Sequence, residues 1–244
     1  MIGRVLLAAL LAGIAAGLVM SALQAWKVTP LIIAAEAVFE GEAEPAGAHD
    51  NAGAGEKKPE ASKPEHVHDP NSAWMPHSGF ERTTATIASN IIAGVAFALI
   101  LTGVVIFTGF DLSIASGAML GLLGFCTFSL APGLGLPPNL PGVPAAELMD
   151  RQTWWWATVI ATGFGIWMIA RLDAWVLKAL GGVVILLPQI IGSPQPEDAG
   201  TEIPARLAAE FATNSLVIAA VFWVVLGALL GWLISRQKLN EEAV

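Results

Sequence analysis

Six blocks of apolar residues, separated by polar or proline-rich stretches, set the pattern of this chain. Each block approaches the ~20 residues that a helix needs to cross the hydrocarbon of a bilayer. The blocks are Ile2–Trp26, Ile87–Thr108, Leu112–Leu130, Trp154–Ala170, Ala174–Ile191 and Thr213–Ser235. The pattern therefore predicts an all-α fold, a polytopic integral membrane helix bundle of about six transmembrane helices.

Two features leave alternatives to this count. The fourth and fifth blocks are short and are joined only by Arg171–Asp173, so a re-entrant pair or five crossings stays open. The first block could be a secretory signal, because Arg4 precedes its apolar run. That run is longer than a signal core, and no small-x-small cleavage site follows it. We therefore predict a retained first helix over residues 1–26.

Composition supports a membrane protein. Hydrophobic residues make up 55% of the chain and charged residues 13%, about half the charged fraction of a soluble domain. The lipid bilayer is thus the first predicted partner. The net charge of −8 argues against nucleic acid, which needs a basic surface. The negative net charge favours cations as binding partners instead.

The basic residues predict an orientation, because cytoplasmic loops carry an excess of lysine and arginine. With the N-terminus inside, only Arg151 and Arg206 are left in the short outer loops. The tryptophans agree, except Trp223, which fits neither interface. The residues placed inside are Arg4, Arg171, Lys178, Arg236 and Lys238. We expect a multi-pass protein of the bacterial inner membrane with both termini in the cytoplasm.

Small residues recur at every fourth position of several spans, which lets helix backbones approach closely in lipid. This spacing predicts helix packing rather than a pore. The ridges are Ala9, Gly13, Gly17 and Ser21; Gly94, Ala98 and Thr102; Ser113, Gly117 and Gly121; and Gly227 with Gly231.

Three irregular segments fall on the predicted outer side, over residues 27–86, 131–153 and 192–212. The first begins with a short amphipathic helix through Glu40. From Gly41 to Asn71 it is rich in Gly, Ala, Pro and charge and cannot bury enough apolar surface to fold alone. We expect disorder there, and a transmembrane bundle over residues 87–244 that carries the other two segments.

All four histidines lie in the first outer segment, among many carboxylates. Imidazole suits the later first-row divalent metals, and carboxylates add charge. The segment is thus a candidate weak collector of divalent cations, and the alternative is a solvated linker that binds nothing specific. The candidate ligands are His49, His66, His68, Asp69 and His77.

Ionisable residues are nearly absent from the predicted spans, although such residues usually mark ion pathways. Neutral polar residues occur instead, toward the outer half of the helices. We predict that they line an outer vestibule as metal ligands, the alternative being hydrogen bonds between helices. They are Gln24, Asn90, Cys126, Gln189 and Asn214.

Motifs of nucleotide binding and of catalysis are missing from the sequence. There is no GxxxxGK[ST] loop, no nucleophile elbow and no HExxH. We therefore expect no enzymatic activity and no permanently bound cofactor. An integral membrane enzyme that uses the tryptophan-rich region is the least favoured alternative.

One proline-rich stretch comprises Ala131–Pro138, Leu140–Gly142, Arg151–Gln152 and Trp154–Trp155. This stretch and its surroundings resemble the CbtA family of cobalt transporter subunits. Further similarity lies at Gln24, Arg82, Asn90, Gly192–Pro196 and Pro204–Phe211. The resemblance covers most of the chain apart from the acidic, histidine-bearing tract.

The resemblance implies uptake of Co²⁺ from the periplasm for cobalamin synthesis, with a small single-span, histidine-bearing partner subunit (CbtB-like). It also implies five spans, against the six counted here. Two positions depart from the family pattern: Asn139 replaces an acidic residue and Gln189 a histidine. Both substitutes are weaker ligands, so nickel, zinc or no metal stay open. A membrane accessory that presents a metal-binding segment to another permease is the alternative function.

Overall fold

The computed structural model describes residues 2–42, 79–197 and 200–242, which are entirely helices, turns and loops. The helices are α1 Ile2–Lys27, α2 Thr29–Glu42, α3 Phe80–Thr108, α4 Ile114–Phe125, a π-helical segment Cys126–Leu130, α5 Ala131–Gly135, α6 Leu148–Arg171, α7 Trp175–Ile191 and α8 Ala205–Glu242. The predicted all-α bundle is confirmed. Most of the stretch predicted to be disordered, residues 43–71, lies outside the described residues.

Six helices, α1, α3, α4, α6, α7 and α8, run alternately in opposite directions. At one end, which we call the terminal end, Gln237 on α8 donates to the carbonyl of Arg4 on α1 at 3.1 Å. At the other end, which we call the loop end, Ser193 donates to the carbonyl of Gly135 at 2.8 Å. The predicted outer segments 131–153 and 192–212 therefore meet at one end of the bundle, as expected.

Four helical stretches in the described chain are long and apolar enough to cross a membrane: Gly3–Lys27, Phe80–Thr108, Ile114–Gly135 and Ala205–Gln237. The other two predicted spans also form helices. α6 has 24 residues and α7 has 17, but neither meets the same length and hydropathy requirements. A polytopic helix bundle is thus established, and the count of six crossings stays a prediction.

The small-residue ridges hold the helices together in pairs, as the four-residue spacing predicts. Backbones approach so closely at the ridges that a methyl group on one glycine would overlap the facing helix. This is the packing expected in a membrane, where apolar side chains gain no hydrophobic free energy by moving from lipid into a helix interface. From the predicted ridges, Gly13 faces Gly94 and Gly117 faces Gly227; Gly165 faces Gly181 in the same way, although neither belongs to a predicted ridge.

A tight turn reverses the chain between α3 and α4 at the terminal end. Gly109 ends α3 with a φ of 66°, a left-handed conformation that favours glycine. Ser113 then begins α4 through a capping box with Ser116, in which each hydroxyl accepts from the other residue's backbone N–H. This turn makes α3 and α4 antiparallel neighbours.

Element boundaries at the loop end differ from the sequence prediction. Residues 131–135 continue the helix as α5, and α6 already begins at Leu148, so only residues 136–147 are irregular. Pro132 lies inside this continuing helix, two residues after the π-helical segment ends. The predicted short helix after α1 is present as α2.

Candidate functional site

The proline-rich loop, residues 136–147, crosses the loop end of the bundle from α5 to α6. Leu140 anchors it, with 2% of its surface exposed, in an apolar cluster that includes Val28, Ala35 and Phe211. These partners belong to the α1–α2 junction, α2 and α8. One leucine therefore fixes the loop against helices from both ends of the chain.

A second contact ties the loop to α6 and to the segment after α7. The indole of Trp154, on α6, lies against Gly135 so closely that a Cβ there would overlap the ring. Ser193 donates to the carbonyl of the same glycine. The two outer segments and α6 are thus joined at one point, and a side chain at position 135 would separate them.

Between these elements lies a cavity of about 870 Å³, which we call the outer cavity. Its walls are the proline-rich loop, the first turns of α6 and residues 194–196. The volume falls within the range of small-molecule sites. Polar side chains reach it from three different segments, at Asn139, Gln152 and Gln195.

The electrostatics of the outer cavity are set by a single ionisable residue. Arg151 is the one charged residue among those that line it, and its buried Nε has no hydrogen-bond partner within the described chain. A positive charge disfavours a bare dication nearby. Amide and backbone oxygens are therefore the groups in this cavity that can face a cation.

Two of the predicted ligand residues come together between α1 and α3. Asn90 Nδ2 donates to Gln24 Oε1 at 2.7 Å and to Ser21 Oγ at 3.0 Å. Gly17 makes this approach possible, because a Cβ there would lie 2.6 Å from the backbone oxygen of Asn90. The two bonds use both N–H groups of the Asn90 amide.

The other three predicted residues make separate contacts. Gln189 Nε2, on α7, donates to the carbonyl of Ala131 at 2.8 Å. Asn214 bonds within its own helix, to the carbonyl of Glu210 at 2.7 Å. Cys126 begins the π-helical segment and packs against the apolar core. Within the described chain, a hydrogen bond thus joins Gln24 with Asn90, and none joins either residue to these three.

A salt bridge joins α2 and α3, the helices at the two ends of the first outer segment. Arg82, at the start of α3, binds Glu36 of α2 through two N–O contacts of 2.7 and 3.2 Å. Such bidentate geometry is the stronger form of an arginine–carboxylate pair. It fixes the points where the chain leaves α2 and enters α3.

Sequence reasoning missed the residues that shape the loop end. The sequence marks Leu140, Arg151 and Trp154 as parts of a family motif, Arg151 also as an outer basic residue and Trp154 as the start of a span, but it does not indicate their contacts. Trp223 is the one such residue that the sequence marks as unusual, because it fits neither predicted membrane interface. In the structure it is buried, with 2% of its surface exposed.

The predicted histidine site cannot be placed on the fold. His49, His66, His68, Asp69 and His77 all lie outside the described residues. Within the described residues, no group of three or more His, Cys, Asp or Glu side chains could hold a metal ion.

Comparison with protein families decides the identity of the chain. Residues 2–235 match the family described as probable cobalt transporter subunit (CbtA). The chain belongs to the CbtA family. No curated protein and no solved structure gives a significant match. The match covers nearly the whole chain, so the chain is a multi-pass membrane protein of a family described as probable cobalt transporter subunits.

Proposed function

We propose that this CbtA protein admits Co²⁺ from the periplasm across the bacterial inner membrane and so supplies cobalt for cobalamin synthesis. In this proposal a small single-span, CbtB-like subunit is its partner, and both termini face the cytoplasm. The family match over residues 2–235 carries the proposal. We assign transport and no enzymatic reaction to the chain.

The arrangement of the loop end supports an entrance there. The proline-rich loop, the segment after α7 and both ends of the first outer segment lie at this end of the bundle. The outer cavity offers amide oxygens from Asn139, Gln152 and Gln195, which are hard ligands for a hydrated divalent cation. We propose that the cation enters the cavity hydrated and proceeds toward the amides of Gln24 and Asn90.

The histidine-bearing segment would act before this step. Residues 43–78 connect α2 with α3 in the sequence, and Glu36 and Arg82 hold these two helices together at the loop end. Ligands attached there, among them His66, His68, Asp69 and His77, would raise the local concentration of cation at the entrance. The same segment would contribute little selectivity, because affinity would follow the general divalent order.

Reconstitution tests the proposal. Purified protein, alone and with its partner subunit, is placed in liposomes that contain a Co²⁺-quenched dye, with empty liposomes as control. We expect saturable Co²⁺ influx that exceeds the control. Influx equal to that of empty liposomes, with and without the partner, would show that the chain is not a permease subunit.

The absence of a charged metal-binding cluster in the described bundle favours one second candidate, a membrane accessory that presents its outer segment to another permease. Deletion of residues 43–71 separates the two functions and retains α2. A permease would keep its maximal flux and lose apparent affinity for Co²⁺. An accessory would lose most of its contribution to cobalt uptake.

A further inference from the structure

A second cavity lies at the opposite end of the bundle from the outer cavity. It is a groove of about 660 Å³ between α3, α4 and α6, and we call it the α3–α6 groove. α6 packs near the loop end, where Trp155 contacts Phe128 of the π-helical segment with ring centroids 6.3 Å apart. Toward the terminal end, the groove separates α6 from α3 and α4.

The walls of the α3–α6 groove are almost entirely apolar. Ile160 and Met119, from α6 and α4, expose 66% and 56% of their surfaces beside it. Gly163 lies at its floor, where a Cβ would meet only Thr127, at 3.7 Å. α3 and the helical stretch that begins with α4 are long and apolar enough to cross a membrane, so we expect the groove to open toward hydrocarbon and to be filled by an apolar chain.

The groove has a polar end, and the tryptophans near it predict that this end lies at the membrane interface. Arg171, the last residue of α6, lines this end and donates from NH2 to the carbonyl of Thr108 at 2.7 Å. Trp167 lies one turn earlier and also lines the groove. Trp232, with Arg236 stacked 4.5 Å above its ring, marks the same end on α8, and tryptophan is enriched at this depth.

We propose that the α3–α6 groove is a binding site for one phospholipid, whose acyl chain lies between the three helices and whose phosphate binds Arg171. One bond to Thr108 leaves the guanidinium with further N–H donors, and its geometry matches phosphate oxygens. Basic pockets between transmembrane helices bind phospholipid head groups by the same chemistry. Asp111 also lines this end and has an interaction of its own.

The phosphate must supply the selectivity of this site. An acyl chain leaves one apolar solvent for another when it enters the groove, so it gains no hydrophobic free energy. A lipid with the same chains but no phosphate should therefore bind more weakly. A single basic residue near the membrane surface contributes about fivefold in affinity.

Native mass spectrometry of the full-length protein, titrated in detergent with phosphatidylglycerol or with diacylglycerol of the same chains, tests the site. We expect one phosphatidylglycerol to bind about fivefold more tightly than diacylglycerol. Arg171→Gln should remove this difference, and Arg171→Lys should restore most of it. Lys178→Gln is the matched control, because Lys178 lies on α7, at the same end, and does not line the groove; it should bind as the wild type does.

A second pair of variants tests the groove itself without changing charge. Gly163→Leu would fill the floor and should lower phosphatidylglycerol binding. Gly182→Leu, on the open side of α7 where a Cβ meets nothing within 4 Å, should leave it unchanged. Equal binding of the two lipids by the wild type, or unaltered selectivity in Arg171→Gln, would overturn the proposal. Neither result bears on Co²⁺ flux, so this test is independent of the proposed transport function.

Discussion

The indole N–H of Trp223 on α8 donates to the hydroxyl of Ser129 in the π-helical segment, at 3.2 Å. The ring of Trp223 also stacks on Phe128, with centroids 5.5 Å apart and planes inclined by 14°. The π-helical turn contains one extra residue, which rotates the following side chains by about 100° relative to a regular helix. The contacts of Trp223 with Phe128 and Ser129 therefore depend on the π-helical turn.

Removal of the Ser129 hydroxyl should destabilise the protein. Ser129→Ala leaves the N–H of Trp223 buried without an acceptor, which costs about 1–3 kcal/mol. The measurement is thermal unfolding of purified protein in detergent. Thr84→Ala, which removes an exposed hydroxyl bonded within its own helix, should stay within about 0.5 kcal/mol of wild type. An equal effect of both variants would contradict the assigned role of the bond.

A methyl group at Gly227 should separate α8 from α4. The added Cβ would meet the backbone oxygen of Gly117 on the facing helix, so Gly227→Ala should cost about 1–3 kcal/mol through overpacking. Gly103→Ala is the control, because nothing lies within 4 Å of its Cβ. Chemical unfolding in mixed micelles should leave Gly103→Ala at or above wild-type stability. Wild-type stability of Gly227→Ala would refute the close contact.

The Glu36–Arg82 pair should show a measurable coupling. Glu36→Gln and Arg82→Gln are each expected to lower stability, and the double variant should lower it by less than their sum. The coupling free energy should be about 0.5–1 kcal/mol, because both side chains are partly exposed. Additive effects in thermal unfolding would mean that the contact contributes nothing in solution. Arg206 and Glu210, a pair within one helix, serve as the comparison.

A carboxylate at position 139 should improve cation binding in the outer cavity. Asn139→Asp adds a negative charge to a cavity whose lining holds one charged residue, Arg151, and one such charge contributes about 1 kcal/mol in a hydrated site. The apparent KM for Co²⁺ influx should fall about fivefold, with the maximal rate unchanged. Asn139→Ser loses the amide without gaining charge and should not lower KM. An unaltered KM in Asn139→Asp would exclude the cavity from the cation path.

The two ends of the bundle should be accessible from opposite sides of the membrane. Single cysteines at the exposed positions Ala145, Gln195 and Asp173 are introduced after Cys126→Ser. A membrane-impermeant maleimide should label Ala145→Cys and Gln195→Cys in intact spheroplasts, and Asp173→Cys only after permeabilisation. Labelling of Ala145→Cys and Asp173→Cys from the same side would contradict the predicted orientation.

Much of the candidate site could be anticipated, although its contacts could not. The sequence located Gln24, Asn90, Gln189 and Asn214 as polar residues toward one end of their helices. Whether such residues meet depends on how each helix is rotated, and rotation is set by packing between helices. Gln24 accepts a hydrogen bond from Asn90, where Gly17 lets the two helices approach. Asn214 instead donates to a carbonyl of its own helix. The family motif pointed to residues 136–147 but could not reveal the cavity beneath them.

The sequence by itself determined that this chain is a membrane protein. It also determined the approximate positions of the helices and the helix faces that can pack closely, because apolar length and four-residue spacing are local properties. Only the tertiary structure decided which ridge pairs with which, since Gly117 faces Gly227 across a long separation in sequence. It also decided that Trp223 is a core residue and that Leu140 anchors the proline-rich loop. Such contacts are chosen by the packing of the whole bundle, and no single segment encodes them.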